Sequence, residues 1–426
     1  MDSSLEKEVA VAARTVSPRA DEIRRIAADL FERSGYAATT MTDIADAVGV
    51  FPGSLYHHFE SKEELAVEIV AALNRELNRL PAVATRRRTS GNSSAEERIR
   101  QLAREVTTVS MRNAAAVRLL SYEAPTVATD RFRTALQARV PALDRAWKTA
   151  VDAVAVTGRG AKADPGLLRF TLHNVSLTAS VNYPPGQDPK KIAGQLCDAL
   201  FNGLVTDCPD DRTLNDSEAS RAANNAITRW RSLDRPSTSD NRAEIVAAAL
   251  REFARRGYEA TTIRDIADAA GVRMGTLYRR VESKEAILRD ILEFYGSCLD
   301  QAVRAVLTIG SSEAESLDAL GRVFVHAKRR FRQESEIVKF GWSGREATTS
   351  PFHDYYLQTQ ERLRLLERVL GRGIRSGAIR HIGTPAEIAP HIRTVFWLPF
   401  QDFARSSENR SHQFLRETLL RGFVTS

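Results

Sequence analysis

One stretch of this chain occurs twice, and that duplication confines the fold more than any other feature of the sequence. Residues 22–63 align with residues 244–285 at a constant offset of 222 without a gap, and 24 of the 42 positions are identical. The copies run out through "GSLYHHFESKEEL" (53–65) and "GTLYRRVESKEAI" (275–287). A chain of 426 residues is too long for one ordinary domain and suits several, each able to bury its own core. Duplication makes those domains two versions of one plan.

The plan is helical. Ile23, Ile26, Ala27, Leu30 and Phe31 follow the i, i+3, i+4, i+7, i+8 spacing of a single apolar helix face, and Val246, Ala249, Leu250 and Phe253 do likewise. There are no period-two runs rich in Val, Ile and Thr and no Asn-Gly hairpins, so the fold class is all-α. Within each copy a glycine (Gly35 or Gly257) stops the first helix. Thr40 with Asp43, and Thr262 with Asp265, have the spacing of a capping box that opens a second helix of about two turns. Gly49 or Gly271 ends it. A short third helix begins near Pro52 or Met274, where proline suits the first helical position. Ser61 and Ser283 then cap a long fourth helix.

Two short helices joined by a glycine-containing turn behind a supporting helix describe a helix-turn-helix, whose second helix meets base edges in the major groove. Small residues, Gly53 and Ser54 or Gly275 and Thr276, allow close approach to DNA. Leu55 and Leu277 are expected to point into the core, with Tyr56 and Tyr278 offering a hydroxyl to phosphate. Lys62 and Lys284 stand at a helix N-terminus, where dipole and ammonium together favour a phosphate. The candidate contacts are Thr40, Thr42, Phe51, Pro52, Gly53, Ser54, Tyr56, His57, His58 and Lys62 in the first copy. In the second they are Thr262, Arg264, Arg273, Met274, Gly275, Thr276, Tyr278, Arg279, Arg280 and Lys284. An interior helical hairpin would have little use for His57-His58 or Arg279-Arg280.

The whole unit resembles the DNA-binding domain of the TetR family of bacterial transcriptional regulators, through "FERSGYAATTMTDIADAVGVFPGSLYHHFESKEEL" and "FARRGYEATTIRDIADAAGVRMGTLYRRVESKEAI". The resemblance implies two repeats, each a three-helix domain with a helix-turn-helix followed by a helical ligand-binding and dimerisation domain. The limits are 19–64 and 65–206, a linker at 207–241 with some helix in its middle, then 242–286 and 287–426. It further implies that helices at 164–181, 189–206, 385–402 and 411–424 form the dimer contact. Usual members have one unit and form homodimers; this chain has two, so the expected arrangement is a pseudo-dimer within one chain. Phe51 and Arg273 replace the common polar residue at the start of the recognition helix, and Val281 stands where the first copy has Phe59.

The two heads differ in charge. Residues 20–63 hold four Lys/Arg and eight Asp/Glu, a net −4, whereas residues 242–285 hold nine and seven, a net +2. Phosphate neutralisation supplies much of DNA affinity, so the second head carries the larger electrostatic share. Arg273 can read a guanine that Phe51 cannot. Two dissimilar half-sites follow as the preferred DNA. Aromatics are also lopsided: 15 of the 30 Phe, Trp and Tyr lie in residues 288–426. Phe340, Trp342, Phe352, Tyr355, Tyr356, Phe396, Trp397 and Phe400 are candidates to line an apolar pocket for a hydrophobic or aromatic effector, core packing being the bland alternative for each.

The expected function is a ligand-responsive DNA-binding regulator, a repressor, with double-stranded operator DNA and a small-molecule effector as partners. Ligand binding, as the resemblance implies, shifts the helix starting at Ser61 or Ser283 and spreads the heads. The alternative is a ligand-binding or interaction protein in which one head no longer binds DNA. An enzyme finds no support, for there is no G-x-S-x-G elbow, phosphate-binding glycine loop or H-E-x-x-H. No cofactor or metal is expected, since Cys197, Cys208 and Cys298 form no C-x-x-C pair. Without a run of about 18–20 apolar residues or a signal peptide, the chain is expected in the cytoplasm, on the nucleoid.

Overall fold

The computed structural model describes residues 18–36, 38–86, 94–120, 129–157, 164–233, 241–341, 348–397 and 406–423. The described residues form helices joined by turns and loops, with no β-structure among them beyond an isolated antiparallel bridge between Val205 and Ile379. In the first half the helices are α1 (Pro18–Ser34), α2 (Met41–Val48), α3 (Pro52–Tyr56), α4 (Lys62–Arg86), α5 (Ala95–Arg112), α6 (Ala114–Leu120), α7 (Asp130–Gln137), α8 (Pro141–Thr157), α9 (Pro165–Leu177), α10 (Ala179–Asn182) and α11 (Pro189–Asn202). After α12 (Asp211–Asp216) and α13 (Glu218–Ser232) the plan repeats. It runs through α14 (Asn241–Arg256), α15 (Ile263–Ala269), α16 (Met274–Tyr278), α17 (Lys284–Leu307), α18 (Glu313–Arg330), α19 (Arg332–Gly341), α20 (His353–Ser376), α21 (Pro385–Phe396) and α22 (Glu408–Leu415), ending in a π-helical turn at Arg416–Leu420.

Local chemistry sets these boundaries. Thr40 Oγ1 accepts from the Asp43 amide at 3.1 Å while the Asp43 carboxylate accepts from the Thr40 amide at 2.7 Å; Thr262 and Asp265 repeat the pair at 3.1 and 2.8 Å. These reciprocal bonds hold both aspartates below the usual carboxylate range. Gly49 closes α2 at φ +74, a conformation other residues rarely adopt. Ser61 and Ser283 cap α4 and α17 through the amides of Glu64 and Ala286. On α1, Ala20, Ile23, Ala27 and Phe31 are buried and Ile26 and Leu30 partly so; on α14 the stripe is Ile245, Ala248, Ala249, Leu250 and Phe253.

Each long helix, α4 or α17, runs from a head into a helical body. There α4 packs against α5, α6, α7 and α8, while α17 packs against α18 and α20. The stretch 207–241, expected as a linker, is folded onto the second half over most of its length. Ala219, Ala223, Ala226, Ile227 and Trp230 form a buried face of α13 that lies against α17 and α18. Trp230 meets Phe331 edge-on at 5.4 Å, and Arg330 closes the end of α13 on the carbonyls of Trp230 and Leu233 at 2.9 and 2.8 Å. At the other end of this segment Asp211 pairs with Arg416 and Arg421. Arg416 grips buried Asp318 through two bonds of 2.9 and 2.8 Å.

The halves are joined directly. Gly203 stops α11, and the backbone after it crosses to the second half. Leu204 N donates to Leu419 O at 2.8 Å, Val205 N to Leu420 O at 3.0 Å, and Thr206 N to Ala378 O at 3.0 Å. In return Arg380 N donates to Leu204 O and Phe423 N to Leu200 O, both at 2.8 Å. Side chains add a buried relay. The Tyr183 hydroxyl lies 2.6 Å from His391 Nδ1, and His391 Nε2 lies 3.1 Å from Gln195 Oε1. Gln195 Nε2 in turn donates to Ile382 O at 3.2 Å.

Burial holds His391 near a pKa of about 4, against its ordinary 6.5. Between those values the unfolded chain binds a proton that the folded chain refuses. This contribution is therefore complete above pH 6.5 and withdrawn as pH falls toward 4, on the order of 3 kcal/mol in all. Urea unfolding at pH 7 and pH 4.5 should show a smaller acid loss for His391→Gln than for the wild type. Equal losses would remove this histidine from the acid response.

Candidate nucleic-acid interface

The recognition helices are five residues long, too short to persist alone, and packing pins them. Leu55 and Phe59 are buried in the first head, Leu277 and Val281 in the second, so the change from Phe59 to Val281 keeps the position in the core. Each such side chain contributes about 1.5–3 kcal/mol. Most of the other residues on and just beyond these helices are exposed. Phe51, at the N-cap of α3, is 86% exposed. Tyr56, Tyr278, Ser54, His57, Arg273, Arg279 and Arg280 are exposed, while Pro52, His58, Met274 and Thr276 are half-buried.

Gly53 and Gly275 are informative because the folded chain does not require them. Neither has a positive φ, and a Cβ on either meets nothing within 4 Å. Glycine inside a helix costs about 1 kcal/mol relative to alanine. The cost leaves a bare, exposed backbone; Thr40 and Thr42 of the first head and Thr262 and Arg264 of the second are exposed as well. Arg279 curls along its own helix, donating from Nε to Gly275 O at 3.1 Å. Arg280 gives its carbonyl to Arg242, which also pairs with Asp290 on α17.

Lys62 and Lys284 are placed differently from the phosphate role expected of them. The Lys62 ammonium donates to the carbonyls of Tyr36 and Thr39, both at 2.8 Å, and lies 4.5 Å over the Tyr36 ring. Lys284 does the same with Tyr258 and Thr261 at 2.9 and 3.0 Å, 4.2 Å over the Tyr258 ring. Burial lowers the pKa of both ammoniums. Each lysine thus clasps the first turn of the long helix to the loop between the first two helices of its head.

That loop is also the joint to the body. Tyr36 packs on Phe132 of α7 at 5.3 Å, and Tyr258 on Phe352 at 6.0 Å. Phe352, a candidate pocket residue, is therefore the counterpart of Phe132 at the head–body joint. Glu63 adds to the first joint by accepting from the amide and hydroxyl of Thr129 at 3.1 and 2.7 Å. No local sequence signal marks these contacts, which span 66 residues or more.

Of the remaining pocket candidates, Tyr355, Phe396 and Trp397 do line one cavity, of about 330 Å³. Tyr355 stacks on Tyr295 at 5.6 Å, and Tyr356 is half-buried beside His353. Trp342, Phe400 and the side chain of Phe340 lie outside the described residues. Sequence reasoning missed the cavity's contributors from the first half, among them Asn174, Leu177 and Val181.

The family model for bacterial regulatory proteins of the tetR family matches residues 23–69 and again 245–291. The HTH-type transcriptional repressor KstR2 of Rhodococcus jostii (strain RHA1) is 56% identical over 54 residues, 13% of this chain and 26% of that protein. KstR2 of Mycolicibacterium smegmatis is 50% identical over 52 residues, 12% of this chain and 25% of that protein. The chain thus spans about a quarter of the length of these curated relatives. Among solved structures, the ketosteroid transcriptional regulator KstR2 of Mycobacterium tuberculosis aligns over 42% of this chain and 93% of its own, with 24% identity and a TM-score of 0.38. The same family model thus matches twice, 222 residues apart: the chain carries two domains of the tetR family of bacterial regulatory proteins in tandem.

Proposed function

We propose that this chain is a ligand-responsive, DNA-binding transcriptional repressor whose two heads act together as a pseudo-dimer within one polypeptide. The observation that carries the reading is the outer face of α3 and α16: an exposed aromatic or basic N-cap, an unneeded glycine and an exposed tyrosine, in both copies. The candidate contacts named from the sequence are proposed as the DNA-binding residues, with Lys62 and Lys284 acting first as clasps. Pairing within the chain is supported by the reciprocal backbone bonds of residues 200–206 with 378–380 and 419–423 and by the Tyr183–His391–Gln195 relay. The clasps support a route for the signal, because a shift of α4 or α17 carries the clasped loop of its head with it.

Mobility shift on the DNA upstream of the protein's own gene, with light scattering of the complex, tests the proposal. One chain per operator and a consensus of two dissimilar half-sites are expected from selection on random DNA. A strictly palindromic consensus, or two chains per operator, refutes the pseudo-dimer. Binding that survives alanine substitution across one head's outer face favours the reading in which only one head uses DNA.

A further inference from the structure

The two recognition helices start from one backbone geometry. Phe51, the N-cap of α3, has φ −70 and ψ 144; Arg273, the N-cap of α16, has φ −73 and ψ 148. The Phe51 carbonyl accepts from the amides of Ser54 and Leu55 at 2.9 and 3.4 Å. The Arg273 carbonyl accepts from those of Thr276 and Leu277 at 2.8 and 3.1 Å. In the first head Pro52 adds a further hold, because a proline keeps the residue before it in the extended region. The two side chains therefore leave equivalent points of equivalent helices along corresponding Cα–Cβ bonds.

Neither side chain caps its own helix. An N-cap is usually Ser, Thr, Asp or Asn, whose oxygen accepts a helix N–H. Thr40 and Ser61 in the first head, and Thr262 and Ser283 in the second, do this for the helices on either side. Phe51 and Arg273 make no such bond, so both recognition helices forgo the stabilisation that their neighbours have. Both side chains are exposed, two residues before the bare Gly53 or Gly275. They stand at the end of the recognition helix whose residues meet base edges.

What differs is the chemistry presented. A guanidinium offers paired donors that match O6 and N7 of guanine. A phenyl ring has no donor or acceptor, and the apolar group that an unmodified base pair shows in the major groove is the C5-methyl of thymine. We propose that Phe51 reads a thymine through that methyl group, at the position of its half-site where Arg273 reads guanine in the other. The assignment rests on the regulator reading above and names what each head selects. It also gives the operator a direction: the chain binds with its first head on the thymine half-site, in one orientation.

Uracil lacks only this methyl, so it is the probe. The full chain first selects its site from random DNA; each thymine of that site is then replaced singly by uracil and titrated by mobility shift. One position, in one half-site, should lose about fourfold in affinity, the worth of one buried methyl-sized group. With Phe51→Ala, thymine and uracil at that position should bind alike. With Phe51→Arg, repeated selection should return guanine there in place of thymine. Uracil tolerated at every thymine, or a penalty undiminished in Phe51→Ala, would overturn the proposal. The uracil scan of the wild type needs no variant, so it decides even if a substitution harms the fold. A chain that enriches no DNA at all sinks the regulator; one that enriches a site indifferent to uracil sinks this assignment alone.

Discussion

Gly203→Ala is expected to destabilise the chain by more than about 3 kcal/mol. Gly203 has φ +70 and ψ 165, a region essentially reserved for glycine. Its Cβ would sit 2.4 Å from Leu420 O and 2.5 Å from Arg421 C. Gly422 faces it in the same way, a Cβ there falling 2.5 Å from both Asn202 C and Phe201 O. All four obstacles are backbone, so no side chain can rotate aside. Gly310→Ala is the control: its φ is +88 but nothing lies within 4 Å, leaving only conformational strain of about 1 kcal/mol. Urea unfolding of the three proteins, read with light scattering, compares them. Matching losses for Gly203→Ala and Gly310→Ala would mean that the crossing of the two halves contributes nothing.

The second large effect concerns the heads. Replacing Arg273, Arg279 and Arg280 together with alanine should weaken operator binding on the order of a hundredfold near physiological salt. It should also flatten the salt slope by up to about 0.9 for each phosphate left without its arginine. The matched triple change at Phe51, His57 and His58 should leave the slope nearly unaltered while relaxing base preference at its own half-site. Arg273 carries an added share of specificity, since a bidentate contact to guanine is worth about 1–3 kcal/mol. Titrations of both triple variants from low to high salt on one operator fragment measure this. Parallel slopes would refute the asymmetry.

What the sequence disclosed was whatever chemistry is local. The capping pairs Thr40–Asp43 and Thr262–Asp265, the stop at Gly49 and the apolar stripe of α1 depend on residues within a turn or two, and they stand where spacing puts them. The helices expected to form the dimer contact begin near the expected positions, at Pro165, Pro189, Pro385 and Glu408, but α11 ends at Asn202, where Gly203 turns the chain into the crossing. Composition misled at 207–241. Half of the buried face of α13 is alanine, and its charged and polar outer residues mask that face in the sequence. The lysine clasps were out of reach because their carbonyl partners lie 23 and 26 residues away. Phe352 shows the limit of counting aromatics: a ring at a head–body joint and a ring on a cavity wall have the same sequence signature.

The stitched crossing has a consequence for synthesis. The first half is finished, in sequence, at about residue 206, yet its exposed backbone partners at 378–380 and 419–423 are made roughly 200 residues later. At about 5–20 residues per second a nascent chain would hold that surface uncovered for roughly ten to forty seconds. During that interval the first half of a neighbouring chain on the same message presents an identical surface. Folding of α13 onto α17 and α18 shortens the search, because the second half docks from an anchored start. Ribosome spacing therefore becomes a variable in whether a cell makes fused pairs or cross-linked strings of chains.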